Sequence, residues 1–255
     1  MVQSRNRSTG ALIIIMIALV VIGILIARSY YRNANSRVDP RIKEARELYA
    51  RYNQVAASGD FYHLFSLIDS IENIYNSVKH YRNSFEKGVL YNNRAAALIT
   101  LALYGDSVHR ALNPYFSYPA DSLMAMAERN ITYSIDIYST WKSRFGALPA
   151  EEIKTLIADE FGEAGNAEDG RDYLGSRSQE IARSLQETDR RLSVSYTNMG
   201  IVYRFREDYE GAARFYTRAL ELWDMNLEAE NNLNRLLGRP LKKRNFIQRL
   251  FPPEK

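Results

Sequence analysis

The sequence predicts an all-α protein built of antiparallel helix pairs, carried behind a single N-terminal transmembrane helix. From Val38 onward apolar residues recur at three- and four-residue spacing, and no run alternates as a half-buried strand would. Ser58-Gly59-Asp60 breaks one such stretch from the next, and the turn Glu207–Glu210 is too short for anything but an antiparallel reversal. Before all of them stand 17 consecutive apolar residues, Ala11–Ala27, without a charge.

At 1.5 Å per residue that run spans roughly 26 Å, and its flanks extend it toward the roughly 30 Å of a hydrocarbon core. Residues 11–29 are therefore expected to span the membrane. A ten-residue head precedes them, and residues 30–39 link them to a helical domain over 40–237. Arg5, Arg7, Arg28 and Arg32 stand where guanidinium groups reach headgroups. A cleaved secretory signal is the alternative. The run is longer than a usual signal core, and Leu25-Ile26-Ala27 is a poor cleavage site. Cysteine is absent, which excludes disulfides, thiolate metal sites, cysteine nucleophiles and a lipidated cysteine.

The net charge of +4 conceals a division along the chain. Residues 1–37 carry +5, residues 38–234 carry −7, and residues 235–255 carry +6. A mildly acidic body is a poor partner for phosphate backbones, so no nucleic-acid binding is expected.

Taken in order, Pro40 suits a first helical turn, and a helix follows with Ala45, Leu48, Tyr49, Tyr52 and Val55 on one face. A second begins at Phe61, and a third runs from about Lys79 to Tyr104. The connector Gly105–Pro119 contains Pro114 and Pro119, and a helix from Ala120 to about Trp141 follows. Pro149-Ala150-Glu151-Glu152 marks the start of a short helix ending near Phe161. Gly162–Gly175 carries four glycines and reads as a loop. Beyond it lie a long helix from about Ser176 to Arg206, then Glu210–Trp223, then Leu227–Leu237.

Within residues 193–226, Tyr196, Met199, Gly200 and Tyr203 are followed by Ala212, Tyr216 and Ala219. On this spacing the segment resembles the tetratricopeptide repeat family. Small residues at 200, 212 and 219 let two helices approach, and the tyrosines fill the groove between them. Asp224 stands where the family usually has proline. Two degenerate matches precede it. One covers residues 45–78 through Gly59-Asp60-Phe61. The other starts near Gly88 and has Met124–Ile137 as its partner helix. The resemblance implies a short right-handed solenoid of three pairs, capped by the last helix, and an unrelated helical bundle is the alternative.

It also implies protein binding on the concave face. Asn93 and Asn198 match the family's groove-facing asparagine, and Asn232 follows Asn198 by one repeat length, 34 residues. Thr197, Ile201, Arg204 and Phe205 would be their groove neighbours. Such amides hold a peptide backbone by donating and accepting together. Alternatively they cap local turns or face water. Replacing Asn198 and Asn232 by alanine is expected to weaken capture with little change in stability.

In the tail, Lys242, Lys243, Arg244 and Arg249 alternate with Phe246, Ile247, Leu250 and Phe251. As a helix this is an interfacial surface for anionic lipid, and packing on the domain end or a disordered tail are the alternatives.

No catalytic residue, metal or cofactor is expected. His63, His80 and His109 are isolated, and Glu163, Glu168, Asp169 and Asp172 lack the order of a calcium loop. The 18 tyrosines sit at helical spacing and read as packing. Flanking charge favours a cytoplasmic body, whereas the short head before a long apolar run favours export. We take the body as extracytoplasmic, periplasmic in a bacterium. The expected role is a non-catalytic, membrane-anchored protein-binding scaffold or assembly factor. The alternatives are an accessory subunit of a membrane enzyme or transport complex, or a ligand-sensing regulator.

Overall fold

The structure is a computed structural model that describes residues 38–105, 118–162 and 172–243. The expected transmembrane run and most of the basic tail, Arg244 to Phe251 included, lie outside the described residues. Among the described residues no helix is long and apolar enough to cross a membrane.

Eight α-helices make up the described body: α1 Lys43–Ser58, α2 Phe61–Ser77, α3 Phe85–Tyr104, α4 Ala120–Phe145, α5 Ala150–Phe161, α6 Tyr173–Phe205, α7 Tyr209–Leu222 and α8 Leu227–Leu236. Their starts are set by side-chain caps. Asp60, Asp172, Asp208 and Asn226 each accept from the backbone N–H three residues on. Two reversals share one device. Gly59 (φ +74°) precedes the cap Asp60, and Glu207 (φ +63°) precedes the cap Asp208.

The expected helix from Lys79 is a 3₁₀ turn, Lys79–Tyr81, and α3 begins only at Phe85. No proline or glycine announces this break. It is made by tertiary packing: Val78 is extended, and Tyr81 is fully buried with its ring stacked on Tyr75 at 5.9 Å. The first helical turn is likewise a 3₁₀ turn, Pro40–Ile42, capped by Asp39. Arg41 chelates that carboxylate, donates to the Phe161 carbonyl at 3.0 Å and lies over the Phe161 ring. The start of the body is thereby tied to the end of α5.

Three hairpins, α1–α2, α3–α4 and α6–α7, are followed by α8 packed on α7. One core runs through these hairpins, from Ile42 and Ile68 through Leu98, Met124 and Ile131 to Val202. A second cluster holds Phe85, Val89, Tyr138, Trp141, Phe145, Ile153, Ile157, Ile181 and Leu192. It joins the start of α3, the end of α4, the short α5 and α6 as far as Leu192. In the sequence the short helix and the start of the long one have no hairpin partner. In the structure they build a core of their own.

Close approach within the pairs rests on glycine under tyrosine. A Cβ on Gly200 would lie 2.4 Å from Tyr216, and one on Gly88 would lie 2.7 Å from Tyr138. The tight point of α3–α4 therefore falls two turns before Ala95, and its tyrosine lies just past the expected partner segment 124–137.

Candidate functional site

Three helices that do not form a hairpin with one another, α1, α3 and α6 from Glu180 to Arg191, frame a groove of about 470 Å³, to which α2 adds Tyr75. Its apolar wall comes from Tyr49, Tyr75, Phe85, Val89 and Leu90, and its polar wall from Arg46, Glu86, Glu180, Arg183 and Arg191. Periodicity explains the convergence: Phe85, Val89 and Glu86 belong to the first turns of α3, while Glu180, Arg183 and Arg191 lie along one broad face of α6.

Beneath the groove lies Arg177, only 2 % exposed. Its guanidinium donates to both Glu86 oxygens at 2.5 and 3.1 Å, to Glu180 at 3.3 Å and to His80 Nε2 at 3.1 Å. It also stacks 4.5 Å over Tyr81. Burial alone would raise the Glu86 carboxyl, but the charge and hydrogen bonds of Arg177 override it and hold the group at about 2. Burial, seconded by Arg177, depresses the His80 imidazole to about 4. Neutral His80 accepts at Nε2, so its proton sits on Nδ1, which has no hydrogen-bond partner. Arg46 donates to Glu180 at 2.6 Å. Its pKa is raised: burial works against the charge, and Glu180 more than compensates.

The two carboxylates are thus consumed by Arg177 and Arg46. Arg183 and Arg191 remain. Among the described residues neither side chain has an ion pair or hydrogen bond, and Arg191 Nε is buried without an acceptor. The acids nearest in sequence are engaged elsewhere: Glu180 by Arg46, Glu187 by Arg190 at 3.3 Å and Asp189 by Lys142 at 2.6 Å.

The structure places the sequence-derived residues in several separate settings. Asn93 donates to the hydroxyl of Tyr49 at 3.2 Å, which puts it at the groove's edge. Asn198 is 8 % exposed and donates to Asn92 Oδ1 at 3.0 Å. Asn92 also accepts from Ser195, and Ser134 links Ser195 to the Gly88 carbonyl, so this amide belongs to a seam joining α3, α4 and α6. Thr197 is buried and donates to the Ser193 carbonyl. Its oxygen and that of Ser193 both accept from Asn226. Asn232 is buried on α8, with Arg235 donating to its oxygen. Ile201 and Phe205 pack against the main core, and Arg204 is half-buried on the same turn. The expectation that alanine at 198 and 232 leaves stability unchanged is therefore replaced, because both amides are buried and bonded.

In the tail, Lys242 and Lys243 are exposed. Asn231 clamps the Lys242 backbone through its own amide at 2.8 and 3.0 Å, laying residues 239–243 back along α8.

A smaller cavity of about 340 Å³ lies beside His80, walled by Trp141 and Phe145 and rimmed by Lys79, Arg144 and Glu160. Asp172 is the cap of α6 and pairs with Lys154 at 3.0 Å. His63 is likewise absorbed by the cap Asp60. Among the described residues no three His, Asp or Glu side chains are grouped as metal ligands.

Sequence reasoning passed over Arg183 and Arg191. Their eight-residue spacing on a helix was the available signal, but like other arginines of α6 they resemble a solvated face. No family model, curated protein or solved structure matches the chain.

Proposed function

We propose that the protein is a membrane-anchored, non-catalytic scaffold or assembly factor of tetratricopeptide type, which holds a segment of another protein in the groove between α1, α3 and α6. The observation that carries this reading is the groove itself, with an apolar wall facing two arginines that no group among the described residues neutralises. Apolar contact supplies affinity and the charges supply orientation. The order of hairpins, each second helix packed on the first helix of the next pair, agrees with a short solenoid. Residues 11–29 are the anchor in this reading, and the body is extracytoplasmic.

A photo-crosslinking residue at Tyr49 of the full chain, in native membranes, tests it. Tyr49 lines the groove, and Tyr209 is 56 % exposed on α7. The expected result is a discrete protein adduct from position 49 and none from 209. Equal adducts at both positions, or none at 49, overturn the reading. Labelling of a Tyr209→Cys variant by an impermeant maleimide on intact cells is expected for an extracytoplasmic body, and protection until lysis overturns that placement.

A further inference from the structure

We propose that the segment held in this groove is an extended acidic peptide, with an apolar residue between two carboxylates that Arg183 and Arg191 receive. The inference rests on the groove being the partner site and adds the chemistry of what fills it.

Charge comes first. Four arginines and two glutamates line or underlie the groove, and Arg177 and Arg46 already satisfy Glu86 and Glu180. Among the described residues a surplus of two positive charges is left on Arg183 and Arg191, and the buried Nε of Arg191 lacks an acceptor. A peptide carbonyl can accept from that donor through one neutral bond, whereas a carboxylate accepts from a guanidinium through two parallel bonds and balances its charge.

Spacing comes next. Eight residues of helix separate the two arginines, about 12 Å along α6. An extended chain advances about 3.3 Å per residue and alternates its faces, so carboxylates four positions apart, about 13 Å, match that separation on one face. The intervening side chains then face Phe85 and Leu90 across the groove. On a partner helix the same separation needs carboxylates about seven or eight positions apart, the arrangement that a helical control peptide tests. Both arginines precede the repeat over 193–226, so this selectivity is a property of the long helix's extension.

The probe is a fluorescent dodecapeptide, Gly-Ser-Gly-Ser-Glu-Phe-Gly-Leu-Glu-Gly-Ser-Gly, titrated into the full chain in detergent micelles. Controls replace both glutamates by glutamine, or set them seven apart in an alanine-rich helix. The expected result is binding of the first peptide at least tenfold tighter than either control, weakening as salt rises. Arg183→Gln, at an exposed position, and Arg183→Gln/Arg191→Gln should each remove most of that preference while melting like the parent. No binding, equal binding of the glutamine peptide, tighter binding of the helical peptide, or an unchanged preference in Arg183→Gln overturns the proposal. If the Tyr49 adduct still forms while the acidic preference is absent, the groove remains the partner site and only its acidic selectivity fails.

Discussion

Tyr216 lies directly over Gly200, so close that a methyl group on the glycine would meet the ring carbon Cε1 at 2.4 Å. The tyrosine is fully buried and its flat ring has no flexible end to yield. Gly200→Ala gains up to about 1 kcal/mol of helix propensity but overpacks the seam at a cost of about 1–3 kcal/mol. A net loss of up to about 2 kcal/mol is expected in urea unfolding. A stabilised variant would show that α6 and α7 do not touch there.

Acid should weaken the fold through His80. The imidazole is held at about 4 in the folded chain against 6.5 ordinarily, so between these values the unfolded chain binds a proton that the folded chain does not. Stability contributed by neutral His80 is present above pH 6.5 and is lost as pH falls toward 4. Between pH 7 and pH 5 this amounts to about 2 kcal/mol. Glu86, held at about 2 against 4.5, extends the loss from pH 4.5 downward. In His80→Gln the amide carbonyl still accepts from Arg177 and nothing titrates at position 80. Its urea midpoint should fall less between pH 7 and 5 than the parent's, and an equal fall would remove His80 as the cause.

Glu207 pays for its left-handed backbone, φ +63°, at the position where Gly59 serves the first hairpin. Its side chain is exposed. Glu207→Gly should therefore raise stability by about 1 kcal/mol. A fall in melting temperature would mean that the side chain has a compensating contact.

Asn226 ties two elements together, capping α8 while donating to the Ser193 and Thr197 hydroxyls of α6. Asn226→Ala removes the cap and leaves buried hydroxyls without a donor, a loss of about 2–3 kcal/mol. Asn198→Ala should cost about 1 kcal/mol through Asn92. If calorimetry shows either variant melting like the parent, these amides are solvated rather than structural.

Local chemistry made most of the architecture readable. Asp60, Asp208 and Pro149 marked helix starts to within a residue or two, and Gly200, Ala212 and Tyr216 foretold the tightest seam. What stayed hidden was long-range. Arg177 meets Glu86 across 91 residues and His80 across 97, and nothing beside Arg177 in the sequence separates it from the solvent-facing arginines of the same helix. The break before α3 was hidden for the same reason, being set by the burial of Tyr81 rather than by a turn residue. Asn93, Asn198 and Asn232 followed a family pattern that predicts a shared face. Their neighbours place one at a groove edge and two in buried seams.

The 33 residues of α6 make a rod about 50 Å long, and both hydrophobic clusters use it as a wall. Arrays of helix pairs ordinarily lose their end units one at a time, each leaving the rest standing. Here a splint crosses the joints. Pulling on either end loads both cores together, so the body should yield in one mechanical event and refold in one.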